Sequence, residues 1–328
     1  MRITLCIVFI ISSLSSFAFQ NGINTFVYHR FGDDRFPSTN IATAAFEAHL
    51  KHLKAEGYKL VTASEAKALL AQEIDSKLAA ITIDDGYKSF FKNGLPLLQK
   101  YGFTATLYIN TETVGSADYM SWEEIKAAEK AGIEIGNHSH SHAYFLNESN
   151  PTEAFETDLE HSIDLFKKHL GHSPKTFAFP YGEWQSEFTA ILKSHGIELA
   201  YAQNSGVANK QSNILALPRF PMNEHYGDLK DFKSKLSMKP LVASNLKTNA
   251  KSSSPEVSFQ LKGNSIQTNQ LQCFIQGNEC ELTQSGNNVT AKGKKALTAR
   301  RTLFTFTAPD ANGNWHWFSY LWIMPDVQ

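Results

Sequence analysis

An excess of charge of either sign is missing from this 328-residue chain: 31 lysines and arginines stand against 32 aspartates and glutamates, a formal net charge of −1. That balance leaves no electrostatic footprint for nucleic acid or an anionic lipid surface. Cysteine is scarce, with three in all, and none stands in a motif that would lower a thiol pKa, so a catalytic thiol is not expected. The one long apolar run is residues 3–11. It is well short of the roughly 20 residues that cross a bilayer, so no stable membrane insertion is expected. Preceded by Met1 and Arg2 and followed by small residues at Ser16 and Ala18, it has the layout of a cleaved secretory signal over residues 1–18. The mature chain is expected to be secreted or periplasmic and to work as a monomer. Export would leave Cys273 and Cys280 in an oxidising compartment, with flanking runs able to pair as neighbouring strands across the Gly277-Asn278 turn, so a disulfide is expected.

What is present is a long alternation. Apolar runs at 25–28, 78–83, 104–109, 133–135, 176–179 and 199–202 are separated by helix-like stretches at 43–56, 64–72, 122–131, 152–170 and 186–195. Gly57, Gly102, Gly132, Gly171 and Gly196 each follow a helical pattern, as a left-handed C-cap requires. Such repeated strand and helix units argue for a parallel α/β barrel or layered sheet. The texture then changes. Residues 236–256, rich in Lys, Ser and Asn, read as a linker. Beyond them, 257–328 offers short strand-like runs between turn signals, which predicts a small all-β sandwich. Its tail alternates so that His316, Phe318, Tyr320 and Trp322 share a face; filling the sandwich core is the favoured reading, stacking on sugars the other. This segment holds no carboxylate and histidine constellation, so it is expected to support the first domain rather than supply chemistry.

Three stretches carry the chemistry. The first is an apolar strand running into Asp84-Asp85-Gly86, at the carboxyl end where parallel α/β folds build their sites. Adjacent carboxylates repel, and both are tolerated best if a cation neutralises one while the other works as a base; a helix N-cap is the plainer alternative. The second holds His138, His140 and His142. A helical turn would put His138 and His142 on one face and His140 on another, whereas an extended segment would align all three. The pair is favoured, since an Asp and two His with an open position match a hydrolytic metal site; a surface histidine cluster is the alternative. The third, Pro180-Tyr181-Gly182, breaks a strand with a turn that can aim a backbone N–H at a developing oxyanion, or can be an ordinary turn.

Taken together and in this order, these stretches resemble the polysaccharide deacetylases of carbohydrate esterase family 4, the NodB-homology family, over roughly residues 24–235. The resemblance implies a distorted (β/α)7 barrel of the α/β class followed here by the small β domain. It also implies a divalent ion, usually Zn2+, held by Asp85, His138 and His142, with Asp84 as catalytic base and the Tyr181 backbone amide at the oxyanion. Two departures stand out. The family's third motif normally begins with an arginine, where this chain has Ala178, and the usual Leu-x-x-His that supplies the acid is missing. Both gaps resemble the poly-N-acetylglucosamine deacetylase branch, in which an early Tyr-His and a late Leu-Pro-Arg stand in. Here these are Tyr28-His29 and Leu217-Pro218-Arg219, making His29 the acid and Arg219 the group that orients Asp84, with His225 as the rival acid. The expected activity is removal of N-acetyl groups from N-acetylglucosamine residues of a glycan. The alternatives are another ester or amide on the same fold, such as an O-acetylated glycan, and a catalytically weak glycan-binding protein.

Overall fold

Each apolar run of the first two thirds of the chain is a strand of one curled sheet in the computed structural model, which describes residues 22–327 apart from 250–252 and 264–265. The expected signal over 1–18 lies outside the described residues. Its seven principal strands are β1 (Ile23–Tyr28), β2 (Leu78–Ile83), β3 (Thr106–Ile109), β4 (Glu134–Asn137), β5 (Thr176–Ala178), β6 (Leu199–Tyr201) and β7 (Phe220–Pro221), joined by the two-residue strands Lys59–Leu60 beside β2 and Val207–Ala208 antiparallel to β1. The seven lie in the order β7-β1-β2-β3-β4-β5-β6 with neighbours parallel. A parallel bridge from Tyr201 to Leu217 brings β6 round to the segment that leads into β7, so the sheet curls back on itself as a distorted barrel. Both β1 and β2 are buried along their whole length. That is why they read as continuous apolar runs rather than as alternating ones.

Seven helices accompany these strands: α1 (Thr43–Ala55), α2 (Ala63–Leu70), α3 (Leu95–Tyr101), α4 (Trp122–Lys130), α5 (Pro151–Leu170), α6 (Ser186–Ser194) and α7 (Leu229–Ser237). Thr62 and Ser121 start α2 and α4 as capping boxes with Glu65 and Glu124, satisfying the orphan N–H groups of the first turn. Gly102 and Gly171 end α3 and α5 in the left-handed conformation. Alternate residues of β2 serve two packing layers. Ala79, Ile81 and Ile83 pack with Phe46 and Leu50 of α1, while Ala80 packs with Tyr108, Ala178 and Tyr201 inside the curl. The period of two therefore points Thr82, and Asp84 just after the strand, to the interior.

The rest of the chain is a sandwich of two four-stranded sheets. Its strands are β8 (Lys239–Pro240), β9 (Ala243–Thr248), β10 (Glu256–Leu261), β11 (Gln272–Ile275), β12 (Cys280–Ser285), β13 (Asn288–Gly293), β14 (Arg301–Pro309) and β15 (Trp315–Ile323). One sheet has the order β8-β15-β14-β11 and the other β9-β10-β13-β12. Val257, Phe259, Phe304, Phe306 and Trp322 fill the space between them, with Phe318 and Tyr320 packed alongside, so the aromatic tail is largely core. Two expectations need correcting. The stretch 236–256 is not a plain linker: it holds the last two residues of α7 and the strands β8 and β9, and β9 is an edge strand with its side chains largely exposed. A solvated edge has no apolar alternation to reveal it. Cys273 and Cys280 do form a disulfide, but β11 and β12 belong to different sheets, so the bond staples the sandwich rather than a hairpin.

The sandwich is docked on the barrel. Trp317 packs edge-on against Phe220 with ring centroids 5.6 Å apart, and its indole N–H donates to Ser205 Oγ at 2.9 Å. Arg300 forms a two-pronged ion pair with Glu183, Nε and Nη2 each 2.7 Å from a carboxylate oxygen, and both residues are buried. Among the described residues no helix is long and apolar enough to cross a membrane.

Candidate active site

The site begins where β2 stops being a strand. Asp84 is still tied to the sheet, its N–H donating to Tyr28 O at 2.9 Å, and its side chain is buried. Asp85 and Gly86 then turn left-handed, with φ of 71° and 74°. In a continuing strand Asp85 would point to the opposite face; the left-handed step sends its carboxylate into the same cavity as that of Asp84. A methyl group at Gly86 would meet only the end of the Ile109 side chain, at 2.9 Å, so it is the left-handed φ that calls for glycine there.

The histidines come from the end of β4, and the segment is neither helical nor extended. Ser139 and His142 have φ of 70° and 54°, and the loop is held from below by Asp158 of α5. Its carboxylate accepts from the N–H groups of His140 and Ser141 at 2.6 and 2.8 Å and from Ser141 Oγ at 2.5 Å. Ser139 Oγ accepts from the His142 N–H at 2.9 Å. The result joins His138 and His142, with Nε2 atoms 3.2 Å apart. His140 turns away to Thr111 Oγ1, 3.0 Å from its Nδ1, and packs against the His161 ring. Asp158 is only faintly marked in the sequence. Its signal is a polar break, with Ser162, in the apolar stripe of Phe155, Leu159, Ile163 and Phe166 on α5.

Asp85 Oδ1 lies 3.4 Å from His138 Nε2 and 3.5 Å from His142 Nε2. With the 3.2 Å between the two imidazoles, these are the edges of a nearly equilateral triangle. A tetrahedral ion with bonds of about 2.1 Å to nitrogen and oxygen has ligands about 3.4 Å apart, so the three donors fit zinc. The His138 ring is fixed for such a task, because its Nδ1–H donates to Ala178 O at 2.7 Å and turns Nε2 towards the triangle, where it would coordinate an ion once it has given up its proton. Burial would raise the Asp85 carboxyl, but the hydrogen bond from His138 and the nearby imidazoles hold it well below the usual carboxylate range. Burial lowers His142 to about 4, helped by His138, which keeps the ring neutral, as a metal ligand must be.

Asp84 has a different partner. Arg219 is wholly buried and donates from Nη1 to Asp84 Oδ1 at 2.7 Å and to Thr82 Oγ1 at 3.2 Å. Its Nε donates to Ala202 O at 2.9 Å. Burial would raise the Asp84 carboxyl, and the charges of Arg219, His138 and His29 together hold it below its ordinary value. Ala178, which occupies the place of the family's motif arginine, offers only its carbonyl, the acceptor for His138. Tyr181 sits at φ 57° ahead of Gly182 at 72°, and its ring packs on His142 and stacks on Tyr144 at 3.9 Å. His29, Asp84, Asp85, His138, His142 and Tyr181 all line one cavity of about 530 Å³. His225 is exposed and does not line it. The cavity has one wall that sequence reasoning missed, Arg301 of the sandwich.

Similarity to known proteins follows the same lines. The family model described as Polysaccharide deacetylase matches residues 71–200. The poly-beta-1,6-N-acetyl-D-glucosamine N-deacetylase of Staphylococcus aureus is 25% identical over 218 residues, which cover 62% of this chain and 75% of that protein. Among solved structures, the Streptococcus pyogenes deacetylase PplD superposes with a TM-score of 0.61 at 21% identity, covering 66% of this chain and 99% of that one. IcaB from Ammonifex degensii gives a TM-score of 0.59 at 24% identity, covering 66% and 98%. The two structural likenesses show the fold.

Proposed function

We propose, from the polysaccharide deacetylase domain that this chain carries, that it hydrolyses N-acetyl groups from N-acetylglucosamine residues of a glycan and depends on a divalent metal ion to do so. The observation that carries the reading is the pairing of two unlike carboxylates in one cavity: Asp85 in a donor triangle with His138 and His142, and Asp84 gripped by buried Arg219. Zinc or a similar ion held by Asp85, His138 and His142 would supply Lewis-acid chemistry at the acetamide carbonyl and acidify the attacking water. Asp84, kept ionised and oriented by Arg219, takes the water's proton as that oxygen bonds to the carbonyl carbon. The Tyr181 N–H is the donor for the developing oxyanion, its turn fixed by the left-handed pair at 181–182. His29, on the opposite wall at the end of β1, hands a proton to the amine as the C–N bond breaks and acetate leaves.

The Staphylococcus aureus relative's name supports poly-N-acetylglucosamine as the substrate class, and the disulfide supports maturation in an oxidising compartment, outside the cytoplasm. Acetate release tests the reading. Purified protein loaded with zinc is offered N-acetylglucosamine oligomers with β-1,4 or β-1,6 linkage, and acetylxylan. Release from an N-acetylated oligomer, abolished by a chelator and restored by zinc, is expected. Release from acetylxylan alone would assign the enzyme to O-acetyl esters, and no release from any substrate would sink the reading.

A further inference from the structure

Arg301 is the first residue of β14 in the sandwich, yet it lines the same cavity as Asp84, Asp85, His138 and His142. Its neighbour Arg300 accounts for most of the local ion pairing. Arg300 takes both oxygens of Glu183 at 2.7 Å and also donates to Asn147 Oδ1 at 2.8 Å and Pro325 O at 2.6 Å. Arg301 is left with one long contact, Nη1 to Glu183 Oε1 at 3.4 Å, and its side chain keeps 34% of its exposure. Two guanidinium groups thus share one carboxylate, and among the described residues Nε and Nη2 of Arg301 make no hydrogen bond. The group is nevertheless held in place: its guanidinium carbon lies 5.0 Å from the centre of the Tyr181 ring, and Tyr181 is stacked on Tyr144, which lies under Arg300 at 4.3 Å. A positioned, partly exposed fork of donors on the wall of a cavity is a binding group for oxygen acceptors.

We propose that Arg301 is a substrate-binding residue, donating hydrogen bonds to hydroxyl or acetamide oxygens of the sugar next to the one being deacetylated, so that the β domain completes the glycan cleft. This rests on the deacetylase reading above, and it gives the β domain, expected to support the barrel rather than supply chemistry, a part in binding the substrate. Arg301 fixes the register of such a sugar along the cleft, at the wall it shares with Tyr181.

The test compares the full-length wild type with Arg301→Ala and Arg301→Lys on the N-acetylglucosamine pentamer of whichever linkage the wild type turns over. Loss of a charge-assisted hydrogen bond to the substrate is expected to raise KM about tenfold in Arg301→Ala, with kcat falling by less than KM rises. Arg301→Lys should recover part of the affinity, because it keeps the charge without the fork. Thermal unfolding and zinc content are read beside the kinetics, and both should stay near the wild-type values, since Arg300 holds Glu183 independently. Unaltered KM in Arg301→Ala would overturn the inference, as would a loss confined to kcat, which would mean that Arg301 only orders Tyr181. A wild type that releases no acetate would instead overturn the function itself, and this inference with it.

Discussion

At the scale of single residues, Asp84 and Asp85 are sequence neighbours whose surroundings differ, one facing a guanidinium and the other two imidazoles, and the proposed roles follow from those partners. Asp85→Ala leaves two histidines, so bound zinc and turnover should both fall. Asp84→Asn keeps the shape and the donor triangle but cannot take a proton, and loss of a general base costs about 10²- to 10⁴-fold in kcat. Elemental analysis beside acetate release separates them; zinc lost from Asp84→Asn and kept by Asp85→Ala would reverse the roles. Arg219 carries a second prediction. Because it and Asp84 are both buried, Arg219→Ala removes one side of a buried ion pair, a change worth roughly 3–5 kcal/mol of stability. The melting temperature should drop by on the order of 10 °C, and kcat by about thirtyfold or more, with Arg219→Lys recovering part of each. A variant as stable and active as the wild type would show that Asp84 needs no such partner. Asp84, Asp85, His138 and His142 were legible in the sequence because each motif is contiguous and ends a strand. Glu183 and Arg301 were not, because their partners lie far away along the chain and nothing local marks them, and Asp158 shows only as a polar break in the apolar stripe of α5.

At the scale of elements, the site depends on places where strands end by going left-handed. The turn after β5 is the tightest of these. A Cβ on Gly182 would stand 2.4 Å from Gln203 Cβ and 2.5 Å from Gln203 N, with φ at +72°. Gly182→Ala therefore meets both a left-handed cost of about 1–2 kcal/mol and a backbone clash, and the turn must move. Tyr181 would move with it, and a displacement of about 1 Å can cost on the order of a hundredfold in rate. Gly171→Ala is the control, since φ is also left-handed there but no atom lies within 4 Å of the added methyl. It should lose some stability and keep its kcat. Equal kcat losses in the two variants, or none in either, would sever the turn from the chemistry. Helices α1, α2, α4, α5 and α6 and strands β1 to β6 were readable from apolar period and capping glycines, whereas α7 was not. Strand β9 was not, because an exposed edge strand such as Ala243–Thr248 buries little, and without burial no selection for alternation is visible in the residues.

At the scale of the whole molecule, the barrel and the sandwich behave as one body to the extent that their interface is strong. Among the contacts that join them, two lie at separate points: the buried Arg300–Glu183 pair beside the cavity, and Trp317 set against Phe220 and Ser205, with Ser319 hydrogen-bonded to Ser205 and Asn204 beside it. The pair is the stronger candidate. Glu183 without Arg300 keeps only the 3.4 Å contact to Arg301, and a buried charge so exposed to loss of its partner costs roughly 3–5 kcal/mol. Trp317 is half-buried, and its removal gives up apolar contact and one hydrogen bond, worth about 2–3 kcal/mol. The wild type is expected to unfold in a single calorimetric transition, because neither domain can open without breaking both contacts. Arg300→Ala combined with Trp317→Ala should split that transition in two, since each domain keeps its own core while the coupling between them is cut back, with the hydrogen bonds of Ser319 to Ser205 and Asn204 still in place. The split also bears on the site, because a sandwich that opens first carries Arg301 away from the cavity while Asp84 and the donor triangle remain in the barrel. KM for an oligosaccharide should then rise steeply at temperatures between the two transitions. A double variant that still melts once, at the wild-type temperature, would show that the domains are held together elsewhere.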